Sequence, residues 1–298
     1  MIQRIHSSLK KSRGSGPAAG CLRPLSLPAL LLLSVLLFTP VASCGGRNLG
    51  EHPNPVKFIL LGNTNPESPF GPIPPKVPST IEAIRKENPV FAIHLGDMVF
   101  GGSEWMGVKS SDVTRQFKNM FGLFSRERII LYPVIGELDR HDGSALLFSL
   151  HARRPEYYSF NYGNLHFVML NTNDPKPGSV GDTQLRWLKD DLRENKNASS
   201  VFVFTHHPLR APAKPRYGER VVVVENAGRI LETLKEYPVK AIFSGHLRGY
   251  YDEQIEDIRF IIAGCGGYGK EYDHWKHNHY YLVNFSGGLL SVTEKKVN

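Results

Sequence analysis

The stretch Val90-Phe91-Ala92-Ile93-His94-Leu95-Gly96-Asp97 joins a short, largely apolar run to a glycine and an acidic residue. A nearly continuous apolar run of this length is typical of a strand in a sheet that is covered on both faces. In such sheets, ligands collect at the carboxyl ends of the strands. We therefore expect Asp97 to lie at a functional edge of a sheet.

The same pattern, an apolar run followed by a polar cluster, occurs at four further places. The runs are Lys57–Leu61, Ile129–Ile135, Val201–Phe204 and Ala241–Phe243. The clusters that follow them contain Asn63 and Asn65, then Glu137, then His206 and His207, and finally His246 and Arg248. Because strand ends meet at one edge of such a sheet, Asp97, His206 and His246 are expected to converge although they are far apart in sequence.

The ordered set of clusters resembles the calcineurin-like metallophosphoesterases. That family carries, in order, Asp-x-His, Gly-Asp, Gly-Asn-His-Asp/Glu, a His before His-Pro or a similar pair, and Gly-His-x-His. Those residues hold two metal ions, and the second Asp bridges them. The resemblance covers nearly all of the chain from about Val56 to the end. It implies an α/β fold of two packed mixed β-sheets flanked by helices, a four-layer sandwich with the site at one edge.

For one of the two ions, the resemblance implies a nearly complete set of ligands. Asp97 matches the bridging aspartate, and His206 and His246 match metal-binding histidines. Glu137 replaces the asparagine ligand, whereas Leu138 replaces the histidine that usually assists catalysis. Two imidazoles and two carboxylates suit Zn²⁺, Mn²⁺ or Fe²⁺. The predicted metal ligands are therefore Asp97, Glu137, His206 and His246.

For the other ion, the resemblance implies that most ligands are lost. Asn63 and Asn65 stand where the family has an Asp and a His, and Arg248 replaces the last His. Neutral amide oxygens are poor ligands for these ions, and an arginine has no lone pair to offer. We therefore expect one divalent ion at most, with Arg248 supplying the charge of the missing one. An ion pair of Arg248 with Asp97 or Glu137, which would leave the pocket without metal, is the alternative.

Two functions from different classes stay open, so the sequence leaves undecided whether this protein is an enzyme. The first is a metal-dependent phosphoesterase in which Asp97, His206 and Arg248 are catalytic and Arg248, His207 and Asn63 bind the substrate. A single ion can still activate water and polarise a phosphoryl oxygen. Without the assisting histidine, catalysis is weaker by about 10²–10⁴-fold. The second function is that of a catalytically inactive phosphoesterase-fold protein that serves as an envelope binding or scaffold protein.

The first 43 residues have the composition of a secretory signal peptide. Five basic residues and no acidic residue occur there, and the apolar stretch Leu27–Phe38 has 12 residues. That stretch is too short to span a bilayer, which takes about 20 residues. The sequence Val41-Ala42-Ser43-Cys44 resembles the lipobox of bacterial lipoproteins, in which the cysteine becomes the lipidated first residue. Cleavage near Cys44 without lipidation is the alternative.

This interpretation predicts a signal peptide over residues 1–43, a lipid-anchored tether over 44–55 and a phosphoesterase domain over 56–298. The protein is then secreted across the inner membrane and held by its lipid in the bacterial cell envelope. Removing the five basic residues of the leader lowers the formal net charge from +8 to +3, so nucleic acid is not an expected partner. The expected substrate is a phosphate-containing small molecule or lipid. Cys265 has no partner, so no disulfide is expected.

The remaining elements follow from hydrophobic periodicity and from the turn residues that bound it. Helices are predicted at Ser79–Glu87, Ser111–Phe124, Thr183–Glu194 and Ala227–Glu236. Further strands are predicted at Tyr157–Phe160, His166–Asn171, Val221–Val224, Arg259–Ala263, Tyr280–Phe285 and Leu289–Thr293. Strands that alternate with helices indicate the α/β class, and the late run of strands adds mixed pairing.

Overall fold

The computed structural model describes residues 55–213, 221–264 and 278–297. The strands are β1 (Val56–Leu61), β2 (Phe91–His94), β3 (Leu131–Pro133), β4 (Tyr158–Tyr162), β5 (Leu165–Met169), β6 (Ser200–Thr205), β7 (Val239–Ser244), β8 (Tyr250–Ile255), β9 (Ile258–Ala263), β10 (Asn278–Ser286) and β11 (Leu289–Val297). The helices are α1 (Lys76–Lys86), α2 (Ser110–Arg126), α3 (Leu146–Ala152), α4 (Asp182–Glu194) and α5 (Ala227–Leu234), with a 3₁₀ turn at Glu104–Met106.

The strands form two mixed sheets. The first sheet has the order β11-β10-β1-β2-β3, and the second has the order β4-β5-β6-β7-β9-β8. Within the first sheet, β1, β2 and β3 are parallel, and β10 and β11 add antiparallel pairs. Within the second sheet, β5, β6, β7 and β9 are parallel, and β4 and β8 close the two edges in antiparallel pairing. The predicted fold class is confirmed.

The central strands are largely apolar because both of their faces are covered. In β1, Phe58 and Leu60 belong to the core between the two sheets, whereas Ile59 and Leu61 belong to the core under α1, α2 and α3. The ring of Phe58 lies 5.8 Å from that of Phe167 in the second sheet. A third apolar cluster packs α4 and α5 against the outer face of the second sheet. The layers are therefore helices, sheet, sheet and helices.

The helix α4 illustrates how the sequence pattern becomes packing. Leu185, Leu188 and Leu192 recur at helical spacing, and all three are buried in the cluster over the second sheet. The buried amide of Gln184 exchanges two hydrogen bonds with the backbone of Asn171, at the end of β5. The first turn of this helix is thereby tied to the edge of the sheet where the polar clusters gather.

One predicted strand is absent from the structure, and two observed elements, β8 and α3, were not predicted. The segment Val221–Val224 is not a strand; Val224 N–H donates to Pro208 O, so the segment runs as a loop beside the end of β6. The strand β8 lacks a continuous apolar run because it lies at a sheet edge, where exposed polar residues (Asp252 and Gln254) alternate with half-buried ones. The helix α3 has only seven residues, too few for a periodic signal.

The predicted leader, the tether up to residue 54, Cys44 and Cys265 lie outside the described residues. In the part that is described, no helix is long and apolar enough to cross a membrane.

Candidate metal centre

The polar clusters meet where the carboxyl ends of strands from both sheets come together. Asp97 follows β2 in the first sheet, whereas His206 follows β6 in the second; His206 Nε2 lies 3.5 Å from Asp97 Oδ1. Glu137 follows β3 and His246 follows β7; His246 Nδ1 lies 3.9 Å from Glu137 Oε1. The structure thus brings together all four residues that the sequence suggested as metal ligands.

A buried carboxylate, Asp139, fixes the loop that carries Asp97. Its two oxygens accept hydrogen bonds from the backbone N–H groups of Asp97, Met98, Val99 and Gly136, at 2.8 to 3.0 Å. A side chain at Gly136 would meet Asp97 Oδ1 at 2.3 Å, so only glycine lets the two loops approach this closely. Asp139 was assigned no role in the sequence analysis, although it belongs to the polar cluster that follows β3.

The electrostatic environment of Asp97 disfavours its charged form unless a proton or a metal ion is bound. Burial and the nearby Asp139 raise the pKa of Asp97 well above its ordinary value. The N–H of Leu138 donates to Asp97 Oδ1 at 3.0 Å, and this bond and the charge of Arg248 act in the opposite direction. Burial also raises the pKa of Asp139 to about 6, against the lowering effect of its four N–H bonds. Two buried carboxyl groups side by side favour a bound positive charge.

The ring of His206 is oriented so that one nitrogen offers a free lone pair. Its Nδ1 lies 2.8 Å from the carbonyl oxygen of Leu95, which can only accept, so Nδ1 carries the proton. Nε2 is buried and has no hydrogen-bond partner among the described residues. Burial, and next the rings of His207 and His246, lower the pKa of His206 well below its ordinary value and keep it neutral. A neutral imidazole whose other nitrogen is held by a carbonyl is a typical metal ligand.

His207 lies in the same cluster. The nitrogen atoms of His206, His207 and His246 that are available as ligands all lie within 4.8 Å of one another. His207 Nε2 is 3.4 Å from Glu137 Oε2. Over residues 55–213, 221–264 and 278–297, these three histidines are the only group of three or more possible metal-binding residues whose ligand atoms are all this close together; Asp97 approaches one of them and Glu137 two. The sequence predicts His207 as a substrate-binding residue; its tandem position after His206 is the available signal.

Next to His246, the end of β1 carries amides in place of charged ligands. Asn63 Nδ2 donates to the carbonyl oxygen of His246 at 3.2 Å, and Asn65 Nδ2 donates to that of Pro66 at 3.0 Å. The Oδ1 atoms of both asparagines are buried without a hydrogen-bond partner in the described part of the chain. Arg248 is exposed, and its charge lowers the pKa of Asp97. These groups do not form a second set of transition-metal ligands.

The residues present fit one divalent metal ion. Two carboxylates and up to three imidazoles are ligands that Zn²⁺, Mn²⁺ and Fe²⁺ accept. Ligand atoms around a tetrahedral zinc ion lie about 3.3 Å apart, close to the 3.4 to 3.9 Å that separate the carboxylate oxygens from the histidine nitrogens. The buried Nε2 of His206, which nothing else in the described residues satisfies, supports the fit.

Comparisons with known sequences point to one family. A family model described as calcineurin-like phosphoesterase matches residues 74–248. Purple acid phosphatase 15 of Arabidopsis thaliana is 29% identical over 37% of this chain and 22% of its own length. Purple acid phosphatase 21 of the same plant is 30% identical over 37% of this chain and 26% of its own length. The matched segment therefore spans about a quarter of these curated relatives.

Solved structures share the fold at low sequence identity. A dimetal phosphatase from Danio rerio superimposes with a TM-score of 0.62 at 14% identity, over 81% of this chain and 96% of its own. A purple acid phosphatase from yellow lupin gives 0.60 at 13% identity, over 83% and 52%. GAP50, described as the anchor in the inner membrane complex of Plasmodium, gives 0.58 at 15% identity, over 82% and 89%.

Proposed function

Because the chain belongs to the calcineurin-like phosphoesterase family, we propose that it hydrolyses phosphate esters with one resident divalent metal ion. The family uses divalent metals and acts on phosphate-containing substrates. The observation that carries the proposal is the convergence of Asp97, Glu137, His206 and His246, with the Nε2 atom of His206 buried and unsatisfied in the described part. Because this atom lies 3.5 Å from a buried carboxylate oxygen and its ring lies beside two further imidazoles, it fits a ligand to a cation.

Each side chain has a distinct role in this proposal. Asp97, Glu137, His206 and His246 would hold the ion, which supplies Lewis acidity that activates water and polarises a phosphoryl oxygen. Arg248 stands exposed at the rim, and its planar guanidinium is suited to bind two phosphate oxygens. These two positive groups would stabilise the charge of the phosphoryl group from two directions.

The apolar side chain of Leu138 predicts a preference among phosphate esters. Its backbone N–H holds Asp97, but the side chain offers no proton to the departing oxygen. Esters of acidic alcohols, such as aryl phosphates, need no protonation of the leaving group. We therefore propose that aryl phosphates react faster than alkyl phosphates, by about 10²–10⁴-fold, the usual contribution of a general acid.

The test is hydrolysis of aryl phosphate mono- and diesters by the chelated protein after addition of Mn²⁺ or Zn²⁺. We expect activity that depends on the metal and disappears in Asp97→Ala. His151→Asn is the matched control, because His151 lies on α3 and contacts Phe117, away from the cluster. A folded protein that binds one metal ion per chain and hydrolyses none of these esters would contradict the proposal.

A second candidate is a catalytically inactive binding or scaffold protein on the same fold. The amide of Asn63, which donates to the His246 carbonyl oxygen, and the apolar Leu138 favour it. GAP50, an anchor according to its description, shares the fold. The variant Arg248→His distinguishes the two candidates. If the unaltered protein hydrolyses aryl phosphates, it is a working enzyme. If hydrolysis first appears in Arg248→His, the unaltered protein is a disabled enzyme.

We also propose, on sequence grounds alone, that the protein lies in the bacterial cell envelope and is anchored by lipid at Cys44. Fractionation of cells that express the full chain tests this. The unaltered protein should sediment with membranes and Cys44→Ser should not. A Cys44→Ser protein that still sediments with membranes would rule out the lipid anchor.

A further inference from the structure

His207 directly follows His206, yet both imidazoles face the same cluster. Successive residues of a strand point to opposite faces of the sheet. β6 ends at Thr205, however, and residues 206 and 207 form a bend. The ring centroid of His207 lies 4.9 Å from that of His206 and 4.5 Å from that of His246. The bend therefore places three imidazoles around one point.

Thr172 orients the ring of His207. Its hydroxyl oxygen lies 2.9 Å from His207 Nδ1 and also accepts the backbone N–H of His207 at 3.0 Å. The ring is fully buried, so these contacts fix which nitrogen faces the cluster. Nε2 then points to Glu137, with 3.4 Å to Oε2. An imidazole held at one nitrogen, with the other facing further ligand atoms, has the arrangement of a metal-bound histidine.

We propose that His207 is a third imidazole ligand of the single metal ion, and that it makes the centre selective for Zn²⁺ over Mn²⁺. The inference rests on the proposed one-metal function and goes beyond it, because the family pattern supplies one histidine at this strand end and His206 already fills that position. The rival arrangement is a hydrogen bond from His207 Nε2–H to Glu137, which would take that nitrogen away from the metal.

The chemistry of the donors gives the selectivity. Imidazole nitrogen suits Zn²⁺, Cu²⁺, Fe²⁺ and Ni²⁺, whereas carboxylate and carbonyl oxygens suit Mn²⁺ and Mg²⁺. Two histidines with two carboxylates form a mixed set that accepts either class. A third histidine, as in the three-histidine zinc sites of some enzymes, would take the place of a carboxylate around a four-coordinate ion and so shift the balance toward nitrogen-preferring ions.

The first test compares metal affinities of the full chain after chelation. His207→Asn removes Nε2 while its amide can still reach Thr172, so the local fold is disturbed as little as possible. We expect the affinity for Zn²⁺ to fall by about 10³-fold, more than the 10–100-fold that the loss of a supporting contact costs, and that for Mn²⁺ by less than about 3-fold. His151→Asn, the same exchange at a distant histidine, should leave both affinities unchanged.

The second test needs no variant. The full chain, with ¹⁵N-labelled histidine, is loaded with ¹¹³Cd²⁺, and the ¹¹³Cd–¹⁵N couplings are counted by NMR. Three coupled imidazoles support the inference, and two overturn it, even if His207→Asn fails to fold.

The two proposals fail in different ways. A protein that binds no divalent ion would overturn the one-metal function and this inference together. One bound ion with two coupled imidazoles, or an unaltered preference for Zn²⁺ over Mn²⁺ in folded His207→Asn, would overturn this inference and leave the one-metal function standing.

Discussion

The two sides of the candidate centre have similar backbones and different side chains. The histidine side consists of His206, His207 and His246; the amide side consists of Asn63 and Asn65. Asn63 follows β1 and His246 follows β7, and both adopt left-handed backbone angles, with φ of 55° and 60°. Each side also buries acceptor atoms that no described residue satisfies, namely His206 Nε2 on one and two Oδ1 atoms on the other.

This difference indicates that the side chains, and not the backbone, decide how many metal ions bind. The fold supplies strand ends and tight turns on both sides, so it places donor atoms at both. Neutral imidazole is a strong ligand for Zn²⁺ and similar ions, whereas an amide oxygen is a weak one. Side-chain chemistry on a common backbone therefore predicts one ion on the histidine side and none of that class on the amide side.

The largest effect is expected from removing a ligand on the histidine side. His206→Ala should lower the affinity for Zn²⁺ by about 10³-fold, because losing a direct ligand costs more than the 10–100-fold typical of its supporting contacts. Asn65→Ala, the matched change on the amide side, should lower it by less than about 3-fold, since an amide oxygen contributes little. Isothermal titration of the metal-free proteins with Zn²⁺ measures both affinities. Similar losses in the two variants would contradict the proposed difference between the two sides.

The next largest effect is expected on the stability of the loop that carries Asp97. Asp139→Ala leaves four buried N–H groups without an acceptor, so we expect the free energy of unfolding to fall by about 3 kcal/mol and the Tm by about 6–12 °C. Asp182→Ala, which removes an exposed ion pair with Arg229, should cost less than about 1 kcal/mol. Thermal unfolding measures both; a Tm for Asp139→Ala within 2 °C of the control would refute the role of Asp139.

The sequence could predict the strand ends because strands covered on both faces are apolar throughout, which marks where β1, β2, β3, β6 and β7 stop. It predicted His207 as a substrate-binding residue but not as a neighbour of the His206 ring, since alternation along a strand sends adjacent side chains to opposite faces and the bend after Thr205 reverses that rule. It also gave Asp139 no role, because hydrogen bonds to backbone N–H groups of another loop leave no local pattern. The edge strand β8 escaped prediction for lack of an apolar run.

Converting the amide side should add a second ion. In the triple variant Asn63→Asp, Asn65→His and Arg248→His, the ligands that the family carries at these positions are restored. We expect the number of bound Mn²⁺ or Zn²⁺ ions per chain to rise from one to two, and the hydrolysis of aryl phosphates to increase by about 10-fold. Metal analysis after gel filtration measures the number. Arg248→His alone is the control and should still bind one ion, whereas a folded triple variant with one ion would show that the backbones of the two sides are not equivalent.

The smallest effect is expected at Arg248. It should distinguish the role of the guanidinium group in substrate binding from the role of the metal ion. Arg248→Gln removes a charged donor of phosphate hydrogen bonds, so we expect KM for an aryl phosphate to rise by about 10-fold while the affinity for Zn²⁺ changes by less than about 3-fold. Arg248→Lys keeps the charge without the planar guanidinium group, so its KM should lie between those of the unaltered protein and of Arg248→Gln. Arg229→Gln, at an exposed arginine on α5, controls for net charge. If Arg248→Gln instead releases the metal, then Arg248 acts by holding the carboxylates in place, and its positive charge stabilises the centre without contacting the substrate.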